Sequence, residues 1–341
     1  MRLLVTGGSG FLGGFVLAEA ARRGHDCVAL ARSASAARRV TARGAAPLAG
    51  DLDDAAALTG VFAGARCDAL VNLASLGFGH APSIVAAAAG AGLGRAVFVS
   101  TTAVTTGLPA RSKTVRLAAE AAIRSSGLAW TILRPTMIYG APGDRNMSRL
   151  LALLATAGRV FPPGGPPFFL PVPGGGGRLQ QPVHVADVAE AVLSAVERPG
   201  TAGSCYDIAG PEPVTFAELL RTSAAAAGCR ARLLPVPLAP VIALTRCYER
   251  LSSRPKIRAE QWQRLAEDKA FPIDAARRDL EFAPRPLAEG VRGEAAALGL
   301  LAASLAPPAR RAADPVTDGA ADPVTGGTVA DGTTGTVRGR W

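Results

Sequence analysis

The segment VTGGSGFLGG (5–14) constrains this chain more than any other stretch. It leaves an apolar run, RLLVTG (2–7), that reads as a strand, and opens FLGGFVLAEAARRG (11–24), which reads as a helix. Gly7, Gly10 and Gly13 stand in the spacing TGxxGxxG. A glycine at position 7 permits a tight turn, one at 10 lets the backbone approach a pyrophosphate, and one at 13 lets the helix pack closely on the strand. The helix start adds unbonded N–H groups and the positive end of its dipole. A lone glycine triplet carries little information, but between a strand and a helix it describes a phosphate cradle. Thr6, Gly7, Gly10, Phe11, Leu12 and Gly13 are the expected contacts. The bland alternative is a glycine-rich turn with no ligand.

Apolar runs and alanine-rich helical stretches alternate through the first two hundred residues. CVALAR (27–32), DALVNLA (68–74), RAVFVST (95–101) and WTILRP (130–135) read as strands, with helices around 53–63, 81–91 and 111–126 between them. Short apolar strands separated by helices predict a parallel sheet covered on both faces, an α/β Rossmann-type doubly wound arrangement with ligand at the carboxyl ends of the strands. The expected organisation is a dinucleotide-binding domain over 1–160, its sheet completed by parts of 178–210, and a small C-terminal substrate domain built from 161–305. FPPGGPPFFLPVPGGGG (161–177) cannot continue a helix and reads as a Pro/Gly-rich excursion beside the substrate cleft. Periodic structure resumes with PVHVADVAEAVLSAVE (182–197), CYDIAG (205–210) and TFAELLRTSAAAAG (215–228). From Pro307 onward large apolar residues almost vanish, so 306–341 is expected to be a disordered tail.

Composition narrows the partners. The net charge of +10 comes almost wholly from scattered arginines, since lysine occurs only at 113, 256 and 269. With few aromatic residues and no basic stripe, nucleic-acid binding is not expected. Five distant cysteines (27, 67, 205, 229 and 247) with no CxxC pair read as small buried hydrophobes in a reducing, cytoplasmic setting. No leader segment is recognised, and no apolar window reaches membrane-spanning length. The nearest approach is LLPVPLAPVIAL (233–244), broken by three prolines. Together with Arg246 and Arg250 it reads either as a buried substrate-domain helix or as a peripheral membrane contact. His25, His80 and His184 are isolated, so no metal site is expected.

The cofactor choice turns on the end of the second strand. Ala31, Arg32 and Ser33 stand there, with no acid until Asp51. An arginine fork suits a 2′-phosphate, which favours NADP(H) over NAD(H), and Arg38 or Arg39 could join it. The alternative for Arg32 is stacking on adenine or lying in solvent. Asp51 and Leu52 in GDLDD (50–54) would flank the adenine, with Asp51 as a plain helix cap the alternative. Leu73 and Ala74 in VNLAS (71–75) would run beneath the cofactor.

With these residues in hand, roughly 1–300 resembles the extended and atypical short-chain dehydrogenase/reductase family, in particular its NAD-dependent epimerase/dehydratase and NmrA-like branches. The resemblance rests on the ordered set TGGSGFLG, GDLDD, VNLAS, FVSTTAV, RLAAEAAIRSSGLAWTILRP, MIYG and QPVHVADVAEAV. A more distant likeness is to the NADPH-binding accessory subunit of mitochondrial complex I. The resemblance implies oxidoreductase or epimerase/dehydratase-type chemistry on a small carbonyl or sugar-nucleotide substrate, performed by Ser/Thr, Tyr and Lys, the last two spaced YxxxK. Matching FVSTTAVTTG (98–107) places Thr102 at the Ser/Thr position. Counting back from Glu120 puts Arg116 in the lysine place and Ser112 in the tyrosine place, while the register that uses Lys113 puts Pro109 where the phenol belongs. Three readings stay open: another donor among Lys113, Tyr139 and His184; a non-catalytic NADPH-binding sensor or scaffold; or a reaction for which Thr102 and water suffice. Asp187 is the expected cap of the helix after His184, and Arg134 is read either as reaching an anionic substrate or as an internal ion pair.

Overall fold

The computed structural model describes residues 1–300 apart from 109–110, 162–164, 253–258, 260–261 and 264–266. The expected tail, 306–341, lies outside the described residues. Strands β1 (Arg2–Thr6), β2 (Asp26–Ala31), β3 (Ala46–Ala49), β4 (Ala69–Asn72), β5 (Arg95–Val99) and β6 (Ala129–Pro135) alternate with helices α1 (Phe11–Arg22), α2 (Ala34–Thr41), α3 (Ala55–Ala65), α4 (Ala81–Gly90) and α5 (Arg111–Arg124). β7 (Ile138–Tyr139), α6 (Met147–Val160), β8 (Phe168–Pro173), β9 (Leu179–Gln180), β10 (Val183–His184), α7 (Val185–Glu197) and β11 (Ser204–Ile208) follow. β12 (Val214–Thr215), α8 (Phe216–Ala226), β13 (Ala231–Val236), α9 (Leu238–Leu251) and helices Asp274–Leu280 and Leu287–Ala297 close the described chain.

Seven parallel strands form one sheet in the order β11-β6-β5-β4-β1-β2-β3. The chain reverses direction between β1 and β4, whose Thr6 and Asn72 lie side by side in register. That reversal opens the crevice in which doubly wound sheets hold ligands. β1 and β4 are apolar and buried on both faces, as central parallel strands must be. One apolar layer, with Val16, Leu17, Val40, Val188 and Val192, covers one face of the sheet. The opposite layer contains Leu58, Phe62, Ile84 and Ile123 from α3, α4 and α5. The expected α/β doubly wound class is the observed one.

Several elements were absent from the sequence reading, among them α6, the helices Asp274–Leu280 and Leu287–Ala297, and, within the sheet domain, α2 and β3. α2 is a short, arginine-rich helix with only Ala36 and Val40 buried, too little apolar surface to announce itself. β3 has four residues, and its Pro47 is tolerated because β3 is an edge of the sheet. A further difference lies in the Pro/Gly-rich segment, where Phe168–Pro173 pairs in parallel with β13 rather than looping throughout. Its alternating burial is that of a strand with one face on a core, here the third apolar cluster around Met147, Leu151, Leu154 and Leu220. The cysteines are free, but they are not uniformly buried: Cys27 and Cys229 are, whereas Cys247 is exposed on α9. Helix α9 keeps none of its side chains buried, so the buried-helix reading of its segment does not hold.

Candidate functional site

The glycine turn closes at the carboxyl end of β1. Gly7 has φ +72°, and a Cβ there would stand 2.7 Å from the Ala74 amide nitrogen and 2.8 Å from the Leu73 carbonyl carbon. Only glycine permits both the left-handed conformation and that approach to the end of β4. The Gly10 amide donates to the Gly7 carbonyl at 3.0 Å, closing the turn. A Cβ on Gly13 would meet the Gly7 and Gly8 carbonyl oxygens at 2.4 and 2.5 Å, so α1 is pressed against the backbone of the turn. Gly10 caps α1 without a side chain, and no acid occupies the first turn. The first amides of α1 and its dipole therefore face the crevice with no carboxylate to compete for them. Beneath the turn, the fully buried Thr6 hydroxyl donates to Asn72 Oδ1 at 2.6 Å, and Asn72 Nδ2 donates to the Ala74 carbonyl at 3.1 Å. This pair locks the ends of β1 and β4, the two strands that border the crevice.

Beyond the ends of β2 and β3 lies a cleft of about 560 Å³ lined by Arg32, Ser33, Ala37, Gly50 and Asp51, among others. Ser33 Oγ accepts the Ala36 amide and caps α2, which leaves Arg32 exposed at the cleft's rim. Asp51 is not the helix cap: its carboxylate accepts the Asp53 amide at 3.2 Å, while Asp54 caps α3 through the Ala57 amide. Leu52 packs on the apolar layer under α3, and Leu73 on the opposite layer. Arg39 reaches the glycine turn, with Nε donating to the Ser9 carbonyl at 3.3 Å. The guanidinium of Arg43 lies against Gly14, where a Cβ would fall 0.6 Å from Nη1. Sequence reading did not single out Arg43, which follows the end of α2 and lay beside no element recognised there. The cradle and the cleft fit a dinucleotide laid from the glycine turn toward the ends of β2 and β3.

At the carboxyl end of β5 the chain makes a turn of 3₁₀-helix over Thr102–Thr105, capped by Thr101. Thr102 is 8% exposed, its hydroxyl 3.4 Å from the Pro135 carbonyl. Thr105 Oγ1 donates to the Thr102 carbonyl at 2.8 Å, and Lys113 Nζ on α5 donates to the Thr106 carbonyl at 2.5 Å. Glu267 holds the same loop from the far side, accepting the Gly107 amide at 2.8 Å and the Thr106 hydroxyl. The structure thus places Thr102 and Lys113 on one loop–helix corner. Ser112, one residue earlier, is half-buried, and its carbonyl accepts from Arg116 Nη1 at 3.3 Å. The Arg116 guanidinium lies over Gly77 in the β4–α4 loop.

Ser100 and Arg134 have a different office. The nearly buried Glu120 accepts from Ser100 at 2.7 Å and from Arg134 Nε and Nη2 at 3.0 and 2.5 Å. Burial pushes the Glu120 carboxyl up, but the Arg134 and Ser100 hydrogen bonds outweigh it and hold the group below its ordinary value. Of the two readings of Arg134, the structure shows the internal ion pair.

Tyr139 is only 1% exposed, in the third apolar cluster, its phenol oxygen over Gly290. Burial raises its pKa far above the ordinary phenol, so it is a poor acid where it stands. His184 lies edge-on to Tyr139, with ring centroids 5.5 Å apart. Its Nδ1 accepts the Ala186 amide at 3.2 Å, which makes His184 and not Asp187 the cap of α7. Burial lowers its pKa, consistent with a neutral ring accepting at Nδ1. Asp187 is free of capping because Arg285 occupies it, donating from Nε at 2.8 Å and from its backbone amide at 2.9 Å. Among the described residues there is no cluster of three or more His, Cys, Asp or Glu that could hold a metal, and no helix long and apolar enough to cross a membrane.

The chain and its fold have counterparts among known proteins. Residues 7–152 match the family model described as NAD(P)H-binding. The chain is 30% identical over 324 residues to the 4-hydroxy-2-methyl-3-oxo-4-farnesyl-3,4-dihydroquinoline-1-oxide ketoreductase of Stigmatella aurantiaca, covering 84% of this chain and 92% of that one. It is 29% identical to the 2-alkyl-3-oxoalkanoate reductase of Stenotrophomonas maltophilia, with coverage of 86% and 98%. Among solved structures, the UDP-glucose 4-epimerase of Thermus thermophilus in complex with NAD superposes with a TM-score of 0.65 at 22% identity, covering 88% of this chain and 99% of that one. That last likeness is one of fold.

Proposed function

Because this chain belongs to the extended and atypical short-chain dehydrogenase/reductase family and binds NAD(P)(H) as an oxidoreductase or epimerase-like member, we propose that it is an NADPH-dependent reductase of ketones carrying a long hydrocarbon chain. The carrying observation is that the glycine turn ends β1 and the Thr102 turn ends β5, two strands apart in one sheet. A dinucleotide laid across the first has its reactive end directed toward the second. Both relatives at high coverage are named as reductases of oxo compounds bearing farnesyl or alkyl groups, which supports the substrate class.

Bound NADPH supplies the hydride. The chain's own residues orient the carbonyl and deliver a proton to its oxygen, so that a ketone becomes a secondary alcohol. Thr102 offers a hydroxyl to polarise that oxygen from the end of β5. Helix α5 contains no tyrosine, so the usual phenol is not available there. Lys113 is the cation held at the same corner, and its ammonium is the proposed proton source. The proposed dinucleotide contacts are Thr6, Gly7, Gly10, Phe11, Leu12, Gly13, Asp51, Leu52, Leu73 and Ala74, with Arg32 on the 2′-phosphate. Arg116 and Ser112 serve to shape the corner.

The test is steady-state oxidation of NADPH with 2-alkyl-3-oxo acids and prenylated ketones. Turnover that rises with hydrocarbon chain length supports the reading; tight NADPH binding with no turnover across the panel would replace it with a sensor or scaffold. Thr102→Ala is expected to lower kcat by about 100-fold, and an unchanged kcat would remove that role. Arg32→Ala is expected to weaken NADPH binding by roughly 10- to 100-fold while leaving NADH nearly unaffected. Equal loss for both nucleotides, read by fluorescence titration, would withdraw the 2′-phosphate assignment.

A further inference from the structure

Helix α9 presents an apolar stripe outward. Pro240, Leu244, Cys247, Tyr248 and Leu251 are linked by spacings of three and four residues (240/244, 244/247, 244/248, 247/251 and 248/251), which places them on one face. All five are exposed, with Leu244 at 72% and Leu251 at 88%. The opposite face carries the partly buried Leu238, Val241, Ile242, Thr245 and Glu249. Thr245 Oγ1 accepts from Trp262 Nε1 at 3.0 Å and Glu249 Oε1 accepts the Ala259 amide at 3.2 Å, so the inward face is identified by its partners. Arg250 is exposed beside the apolar stripe, and Arg246, also exposed, lies farther round the helix, one turn on from the half-buried Ile242. The stripe itself bears no acid, because the helix's single carboxylate, Glu249, lies on the inward face. β13, which runs into α9, repeats the pattern on its outer row with Arg232 and Leu234, opposite Phe169 and Pro171 of β8.

We propose that this surface docks on an anionic lipid membrane, with α9 lying in the plane of the interface. An apolar row with arginines beside it is the chemistry such a surface binds: the row enters the acyl boundary while the guanidinium groups meet headgroup phosphates. Fourteen residues of helix span about 21 Å, short of the hydrocarbon core, so α9 rests on the membrane without crossing it. A second copy of the chain is the less suitable occupant. A two-fold pairing through the stripe would bring the positive charge of Arg250 near its own copy, with no acidic group among the described residues of the stripe to answer it.

Lipid binding of this kind needs no turnover, so flotation of the full chain with vesicles measures it independently of reductase activity. Vesicles of phosphatidylcholine with about one-third phosphatidylglycerol are expected to carry the protein, and pure phosphatidylcholine vesicles to carry far less. Arg246→Gln with Arg250→Gln should lower the partition onto the anionic vesicles by roughly 30-fold at low salt. Leu244→Asp with Leu251→Asp should lower it at least about tenfold. Unchanged nicotinamide binding and melting temperature in these variants shows that the fold is intact. No association with the anionic vesicles, association that both double variants leave unaltered, or a dimer in solution that Leu244→Asp with Leu251→Asp dissolves would each overturn the assignment.

Discussion

Gly13→Ala is expected to lower nicotinamide dinucleotide affinity by at least about 100-fold, with a fall in melting temperature. The added Cβ would lie 2.4 Å from the Gly7 oxygen, 2.5 Å from the Gly8 oxygen and 2.6 Å from the Gly8 carbonyl carbon. All three are backbone atoms of the phosphate-facing turn, so α1 must withdraw from the turn or the turn must open. Either movement carries the amides of the helix start away from where a pyrophosphate would sit. Gly14→Ala is the matched control. Its Cβ meets only the end of the Arg43 side chain, which can swing aside, and alanine is about 1 kcal/mol better than glycine inside a helix. Gly14→Ala should therefore bind the dinucleotide about as well as the parent and melt no lower. Fluorescence titration of both variants with NADPH and NADH decides the matter. A Gly13→Ala protein that binds normally would remove the turn from the dinucleotide site.

The second large effect concerns Glu294, on helix Leu287–Ala297. Its side chain is fully buried, with Oε2 accepting the Gly140 amide at 2.9 Å and Oε1 accepting the Ser148 hydroxyl at 2.6 Å. Asp144 stands beside it, its Oδ1 accepting the Asn146 and Ser148 amides at 2.8 and 3.1 Å and its Oδ2 buried without a hydrogen-bond partner. Burial first, then the neighbouring Asp144 carboxyl, pushes Glu294 up to about 8 from an ordinary 4.5. Protonated, Glu294 carries an O–H within the join between the loop after β7 and the last helix, next to the buried Asp144 side chain.

A folded-state pKa above the unfolded one means that the folded protein holds the extra proton between pH 4.5 and about 8. The associated stability is complete below pH 4.5, declines as pH climbs, and is gone above about 8. The expected result is a melting temperature that falls by roughly 5–10 °C between pH 6 and pH 9. Glu294→Gln keeps the shape, supplies a permanent N–H donor toward Asp144, and cannot ionise. It should flatten that profile and melt above the parent at pH 9. A Glu294→Gln profile parallel to the parent's across the range would show that the proton resides elsewhere.

The portions of this molecule legible in one dimension are those whose cause is local. β1, the glycine turn and α1 form a continuous unit, and each requirement on it (positive φ at Gly7, no side chain at Gly13) is imposed by atoms close by in the fold and announced by residue type. Thr102 was singled out by the family resemblance of FVSTTAVTTG, and it stands just past the end of β5. α2 and β3 escaped because their patterns are weak: an arginine-rich helix with two buried residues and a four-residue edge strand containing proline.

By itself, then, the amino-acid order determined the doubly wound class and the glycine turn between β1 and α1. Tertiary structure alone decided how the charged and ionisable side chains are paired. Asp187 looked like a helix cap until Arg285, distant in sequence, claimed it and left the cap to His184. Arg134 turned inward to Glu120, and Glu294 met Asp144 across some 150 positions of chain. Burying a charge is costly unless a partner is at hand, and whether one is at hand depends on which distant segment the fold delivers. Hydrophobic period and glycine spacing act over a few residues, whereas ion pairs and neighbouring carboxyls act through space.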